Sequence, residues 1–566
     1  AQLYWSSPST ANAIIPQTQL YPYTNPPPAV VLTAPGNGSS YTASASVSIS
    51  ADADAPYNPL SYVSFYTNGD LLGTISNAPY ALTATGLGAG SYALTAVAVD
   101  GSGLAATSAV VSITVSAPTG QPYGLTNYPT APPFYNMPSV YTGLLPTNLS
   151  QTGVFSDTPS MTPVASLIPY APNVQLFSDN AQKVRYFSIP NTGGPYTPDE
   201  QISYAPTYTW SFPAGTVFVK TFELETNVNY PTNLLRLETR LLVRDTNGGV
   251  YGVTYKWRPD YSDADLLSNN VTEPILIQTA DGFYTNLWYY PSPSDCLQCH
   301  TAPANYVLGV NARQLNGNFN YPNGVTDNQL RALNRTGLLY PAINEADITN
   351  IEQLSALTNT AASYQQRARS YLDANCAQCH QPGGTGITFD ARYDTPLTNQ
   401  NLVNYPAAFS LGYDNAKIIS PNDVWRSMIY DRMNVVNPTI QMPPLARNLV
   451  DTNAVEVMAE WIDSLGGTPT LAPPILIPTS GVFTNFVTLT MESPDTNATL
   501  YYTLDGSLPT TNSTLYAGPF NLTASATVTA NAFETGYVNS VQVSGLFTVV
   551  PPLYSLFDPS YQANGT

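Results

Sequence analysis

Residues 362–384 read ASYQQRARSYLDANCAQCHQPGG. The stretch reads as a helix, with Tyr371 and Leu372 on its apolar face, running into Cys376, Cys379 and His380 and then into a loop rich in Pro and Gly. A second run of the same kind lies upstream, in PSDCLQCHTAP at residues 293–303. The chain of 566 residues contains four Cys and two His, and all six fall in these two windows: Cys296, Cys299, His300 and Cys376, Cys379, His380.

The spacing decides among the uses of cysteine. Disulfides are the default in a secreted protein, but pairing within Cys-x-x-Cys would make a thioredoxin-like centre, and neither run stands near such a βαβ unit. A zinc site needs four ligands, and each run is one short unless the two pool their side chains. Cys-x-x-Cys-His is the attachment run of a c-type haem. Two thiols add to the two vinyl groups along one porphyrin edge, and the adjoining His lies under the iron. The expectation is therefore two covalently bound haem c, attached at Cys296 and Cys299 and at Cys376 and Cys379, with His300 and His380 as iron ligands. No histidine remains as a second axial ligand for either.

Residues 437–467 continue NPTIQMPPLARNLVDTNAVEVMAEWIDSLGG, a Met in a Pro-rich loop and then an amphipathic helix. Val455, Val457, Met458, Trp461, Ile462 and Leu465 lie there at helical spacing. Helix, attachment run, long loop, Met and closing helix resemble a class I cytochrome c over about residues 360–466. The resemblance implies Met442 as distal ligand of the second haem, with Met428 or Met433 as alternatives and Met458 as core. Around the first site, TAPANYVLGVNARQLNGNF (301–319) looks helical, with Tyr306, Val307, Leu308 and Leu315 on apolar positions. No comparable Met loop follows. Candidates for its sixth ligand are Met137 or Met161, one of the four lysines (Lys183, Lys220, Lys256, Lys417), a group from another subunit, or none.

Apolar and polar residues alternate in TYTWSFPAGTVFVKTFELET (207–226), LLRLETRLLVRDTNGGVYGVTYKW (234–257) and GFYTNLWYYPSPSDC (282–296), predicting strands separated by turns such as DTNGG. LSQTGVFSD, LFSDNAQKVRYFSIP, FPAGTVFVKTF, LETRLLVR, DCLQCH, LGVNARQLN, YLDANCAQCH and MPPL occur in that order between residues 149 and 445. In this order the stretches resemble a bacterial family of diheme c-type cytochromes, which implies two haems and electron transfer without naming a substrate.

Two flanks remain. Residues 29–117 hold about seven short alternating strands at regular spacing, the pattern of an immunoglobulin-like sandwich without its disulfide, and resemble bacterial Ig-like modules. Residues 472–549 resemble the small β-sandwich at the C-terminus of chitobiase-type enzymes. FYTNGD against YYTLDG, and SNAPYALTAT against LYAGPFNLTAS, suggest distant repeats of one plan. The expected fold is multidomain and mainly β, with one helical cytochrome c-like domain. Its order is an N-terminal extension (1–28), an Ig-like sandwich (29–117), a Pro-rich linker (118–150), a β-rich region ending in the first haem site (151–345), the cytochrome c-like domain (346–466), the chitobiase-like sandwich (467–549) and a tail (550–566).

Composition narrows the partners. Only 10% of residues are charged, the formal net charge is −19 and the pI about 4.2, which argues against nucleic acid or an anionic membrane surface. No run approaches the roughly 20 apolar residues of a membrane span, and the start AQLYWSSP has the look of a mature secreted chain. The leading expectation is a secreted diheme electron carrier, extracellular or at the cell surface (alternatively periplasmic), serving redox partner proteins or extracellular acceptors. Pro-, Tyr- and Asn-rich tails docking on a neighbour's sandwich edge would extend this to a homo-oligomer, a head-to-tail cytochrome filament. The alternatives are a peroxidase-like diheme oxidoreductase with an open first haem, and a surface adhesion or carbohydrate-binding protein carrying haems. With no spare His, catalytic triads are excluded, so no catalytic residues are expected.

Overall fold

The computed structural model describes residues 4–7, 10–14 and 26–551, apart from 44, 56, 57, 89, 117–121, 127–129, 143, 387 and 446. The tails expected to dock on a neighbouring subunit fall largely outside these residues. The protein is mainly β and divides into two compact units, Ala1–Asn127 with Arg331–Asn350, and Tyr128–Leu330 with Ile351–Thr566.

In the first unit, strands Ala29–Ala34, Ala45–Asp54 and Tyr80–Leu87 form one antiparallel sheet. Leu60–Thr67, Asp70–Ile75, Gly90–Asp100 and Val111–Ser116 form the main part of a second, with Ser40–Thr42 added parallel to Val111–Ser116. Val47 and Ile49 from the first and Val63, Phe65, Leu94, Ala96, Ile113 and Val115 from the second are buried together. That period of two is what a strand with one wet face requires.

In the second unit, the C-terminal sandwich repeats the plan. Val487–Glu492 pairs with Ile475–Ile477 and Phe520–Leu522, while Thr499–Thr503, Ala526–Phe533 and Val543–Val550 carry the facing sheet over a core of Leu489, Met491, Val528, Ala530 and Phe547. Gly481–Thr484 again runs parallel to the last strand. One buried serine recurs as well. Ser108 Oγ accepts from Ala96 N–H at 2.9 Å and donates to the Ala109 carbonyl at 3.0 Å. Ser540 Oγ does the same with Ala532 N–H and the Val541 carbonyl, both at 2.9 Å. Each hydroxyl satisfies a strand amide that its neighbour has left unpaired.

The central sheet has six antiparallel strands in the order Ile168–Pro169, Gln182–Ser188, Val217–Glu225, Leu234–Arg244, Val250–Trp257, Ala264–Leu267. Of the alternating stretches read from sequence, Val217–Glu225, Leu234–Arg244, Val250–Trp257 and Gly282–Tyr290 are strands here, while 207–216 is mostly turn and loop. Gly282–Tyr290 pairs separately with Val271–Thr279. Odd-numbered residues of the middle strands (Val217, Val219, Leu241, Val243, Val253, Tyr255) cover one core, with Leu149, Val154 and Phe155 beneath them. Even-numbered residues face the other way, and that face builds the site.

Within residues 351–466 three helices, Tyr364–Asn375, Met428–Met433 and Thr452–Ser464, contribute to one core, and most of the remainder is turn and loop. The helical domain expected from sequence is present only as these separate helices. Helix Tyr364–Asn375 starts from a Ser363/Gln366 capping box and ends at Cys376. It lies against helix Thr452–Ser464, with Tyr371 and Leu372 meeting Val455, Met458, Trp461 and Ile462. The same core holds Met433 and Met458. The helical-looking run 301–319 is mostly turn, and only Ala312–Leu315 is helical. Pro303 cannot continue a helix, and Asn305 and Tyr306 take left-handed φ of 50° and 62°, which no right-handed helix contains. Among the described residues no helix is long and apolar enough to cross a membrane.

Candidate functional site

The first attachment run sits on a short helix, Pro293–Cys299, laid against strand Val250–Trp257. Ser292 caps it, accepting from Asp295 N–H, while the Asp295 carboxylate accepts from Ser292 N–H at 2.9 Å and from the Tyr289 hydroxyl at 2.8 Å. The strand allows this approach because residue 252 is glycine: a Cβ there would stand 2.7 Å from Cys296 Sγ. His300 follows the helix, with Nδ1 2.6 Å from the Tyr306 carbonyl. The left-handed turn at Asn305 and Tyr306 presents that oxygen. Nδ1–H donating to it fixes the ring tautomer and leaves Nε2 as the free lone pair.

Cys296, Cys299 and His300 open onto a cavity of about 400 Å³. Its sheet wall is two neighbouring cross-strand rows. One runs Phe187, Phe218, Leu242, Gly252, the last three lining the cavity; the next runs Arg185, Lys220, Arg240, Thr254, the first three lining it. Directly opposed residues point to the same face, so Arg185, Lys220 and Arg240 bring three cations together there. Arg240 is held by the fully buried Glu238, through Nε at 3.0 Å and a terminal nitrogen at 2.5 Å. Arg185 donates to Gln175 Oε1 at 3.1 Å and to the Lys183 carbonyl at 3.3 Å. Lys220 has no hydrogen-bond acceptor or carboxylate partner among the described residues, and its Nζ lies 5.4 Å from the Phe222 ring centre. Burial, then the two guanidiniums, push its amine down to about 7.

The opposite wall comes from the second run. Ala374, Ala377, Gln378 and Gln381 line the same cavity, as do Pro443, Leu445 and Arg447, whereas Cys376, Cys379, His380 and Met442 themselves do not. Burial and then the neighbouring Cys379 raise the Cys299 thiol. A buried ion network locks the regions together: Arg313 donates to Asp373 at 3.0 and 3.1 Å and to Asp394 at 2.5 Å. Asn375 adds a bond from Phe177 N–H at 2.7 Å.

At the second run, His380 N–H donates to the Cys376 carbonyl at 2.9 Å and its ring stacks on Phe389 at 4.1 Å. Gly386 is obligatory beside it, since a Cβ would fall 2.5 Å from His380 Nδ1. Met442 lies half-buried in a loop tied back by its own N–H to the Arg432 carbonyl at 2.9 Å. Arg447 donates to the Met433 and Val435 carbonyls and braces the same loop.

The chemistry of the thiols and imidazoles is that which a covalently held haem would use, and at the first run they also face a cavity. None of the four cysteines is in a disulfide. Burial raises the Cys299 thiol to about 11 and Cys376 to about 12, opposite to a reactive redox thiol. Among the described residues no three Cys, His, Asp or Glu converge as a zinc site would need. Burial lowers both imidazoles to about 4, so each is neutral, the form that binds iron. The methionines considered for the first site lie elsewhere. Met137 is buried in the core under the opposite face of the sheet and Met161 packs against it, and none of the seven methionines lines the cavity. The cation row went unread in the sequence because only strand register sets Arg185, Lys220 and Arg240 side by side.

Two family models match the chain: a bacterial Ig domain over residues 28–96, and a chitobiase/β-hexosaminidase C-terminal domain over residues 478–544. No curated protein matches it. Among solved structures, fibronectin(III)-like modules of Clostridium thermocellum CbhA are 33% identical over 16% of this chain and 96% of theirs, with a TM-score of 0.15. Carbohydrate-binding modules of the β-sandwich superfamily are 12% identical over 47% of this chain and 79% of theirs, TM-score 0.15. A bacterial ice-binding adhesin is 9% identical over 48% and 98%, TM-score 0.14. Scores this low establish no shared overall fold. The protein is a multidomain chain that carries a bacterial Ig domain near its N-terminus and a chitobiase-type C-terminal domain near its end.

Proposed function

We propose that this protein is a diheme c-type cytochrome that carries electrons outside the cytoplasm. One observation carries the reading: the second attachment run walls the cavity onto which the first one opens. Bound haem would supply an iron that exchanges single electrons between its ferric and ferrous states. Cys296 and Cys299 would hold one haem and Cys376 and Cys379 the other, and His300 and His380, kept neutral by burial, would bind the irons. Met442 is the distal ligand proposed for the second, in the class I cytochrome c-like arrangement of residues 360–466. Arg313, Asp373 and Asp394 fix the spacing of the two attachment segments, so that neither must move when an electron passes.

The Ig and chitobiase-type domains support an extracellular or cell-surface location. They also favour a second reading, in which the sandwiches dock the protein on a surface or a carbohydrate and the haems serve that docked protein. The test is rapid mixing of the reduced holoprotein with a ferric acceptor and, separately, with peroxide. An electron carrier re-oxidises with the acceptor and does not turn over peroxide; sustained peroxide consumption would overturn the reading in favour of an oxidoreductase.

A further inference from the structure

At the first attachment run the diheme reading assigns the iron one residue, His300. We propose that the Lys220 amine faces the first haem iron from the other side and is its sixth ligand; this rests on the diheme reading above.

The inference is one of elimination among the residues that line the cavity. A sixth ligand needs a lone pair that can reach the iron, and a neutral amine nitrogen has one. The cavity lining contains no methionine and no histidine other than His300. Of the four lysines Lys220 alone lines it. Lys183 is spent on the Leu176 carbonyl at 2.8 Å and Lys256 on Glu273 at 2.9 Å. The phenols on the lining are worse placed, because ligation by tyrosine needs the phenolate. Tyr289 donates to Asp295 at 2.8 Å, Tyr208 is 54% exposed, and burial keeps Tyr170 a phenol.

The surroundings of Lys220 point the same way. An ammonium buried without an acceptor is costly, and here it would also stand between Arg185 and Arg240 in the same row. Both guanidiniums already have their partners, Gln175 and Glu238. Glu238 is engaged by Arg240 and by Trp288 Nε1 at 3.2 Å; its charge offsets part of the repulsion on Lys220, but it forms no salt bridge with it. A neighbour that wants an uncharged nitrogen, such as a metal ion, removes that cost. Ligation by Lys220 would also close the coordination site on which peroxidase chemistry depends.

The test uses the full-length holoprotein with Lys220→Ala, Lys220→Arg and Lys220→Met. Haem per chain is counted by pyridine haemochrome, and spin state is read by absorption, resonance Raman and electron paramagnetic resonance. The wild type should show two low-spin ferric haems. In Lys220→Ala and Lys220→Arg one of the two should turn high-spin, the arginine variant showing that charge alone is not enough. Lys220→Met should restore a low-spin haem, now with sulfur ligation and a higher potential. Two haems that both stay low-spin in Lys220→Ala, or a wild type already half high-spin, would overturn Lys220 as ligand and leave the diheme reading standing. A wild type with fewer than two haems would overturn both.

Discussion

Arg313 is the residue on which the two attachment segments depend. It is 4% exposed and faces two carboxylates, Asp373 and Asp394, that have almost no solvent of their own. Removing one partner of a buried pair leaves uncompensated charge, so Arg313→Ala should cost about 3–5 kcal/mol. Thermal unfolding followed by circular dichroism should show a fall of several degrees, and an unchanged midpoint would refute the role. Asp431 makes a prediction about pH. Burial, and then the neighbouring Asp423, raise its carboxyl to about 7, and its Oδ2 has no partner. The folded state thus holds this proton more tightly than the unfolded chain, where the group titrates near the ordinary value of 3.8. Its contribution is fully present below that value and is lost as pH rises through about 7. Asp431→Asn should be more stable than the parent at about pH 8 and indistinguishable from it near the ordinary carboxylate range. Denaturant midpoints across pH would show this; a constant gap would contradict it. None of these pairings was legible in the sequence, since Arg313 and Asp373 meet only through tertiary folding. The six Cys and His residues stand out in the sequence because their spacing is local.

Strands and helices with a sustained period read correctly. Val217–Glu225 and Val250–Trp257 alternate because one face meets a core, and Thr452–Ser464 carries its apolar residues at helical spacing for the same reason. The run 301–319 misled because its apolar residues mimic a helix while Pro303 and the left-handed Asn305 and Tyr306 fold it into turns that carry a carbonyl to His300. Close approach also hides in the sequence. Nothing local marks Gly252 as the place where the attachment helix touches the sheet, yet a side chain there would collide with Cys296. Gly252→Ala should displace the helix at a cost of about 1–3 kcal/mol and lower haem attachment at the first run while leaving the second intact. Mass spectrometry of proteolytic fragments would separate the two sites, and equal loss at both would contradict the local role.

Across the whole molecule, the sequence divides into modules that could be recognised separately because each buries its own core. The two sandwiches share even the buried serine that joins neighbouring strands, Ser108 in one and Ser540 in the other. What no module discloses by itself is the juxtaposition of the two attachment runs across one cavity. That depends on residues 174–177, Arg313 and helix Tyr364–Asn375 meeting in three dimensions. The central claim is that both runs carry haem. The most direct measurement is the mass of the denatured full-length protein, made in a host that attaches c-type haem. The account predicts a single species heavier than the polypeptide by two haem groups, with the haem retained after denaturation and reduction of thiols. A mass equal to the bare polypeptide, with four alkylatable cysteines, would contradict it.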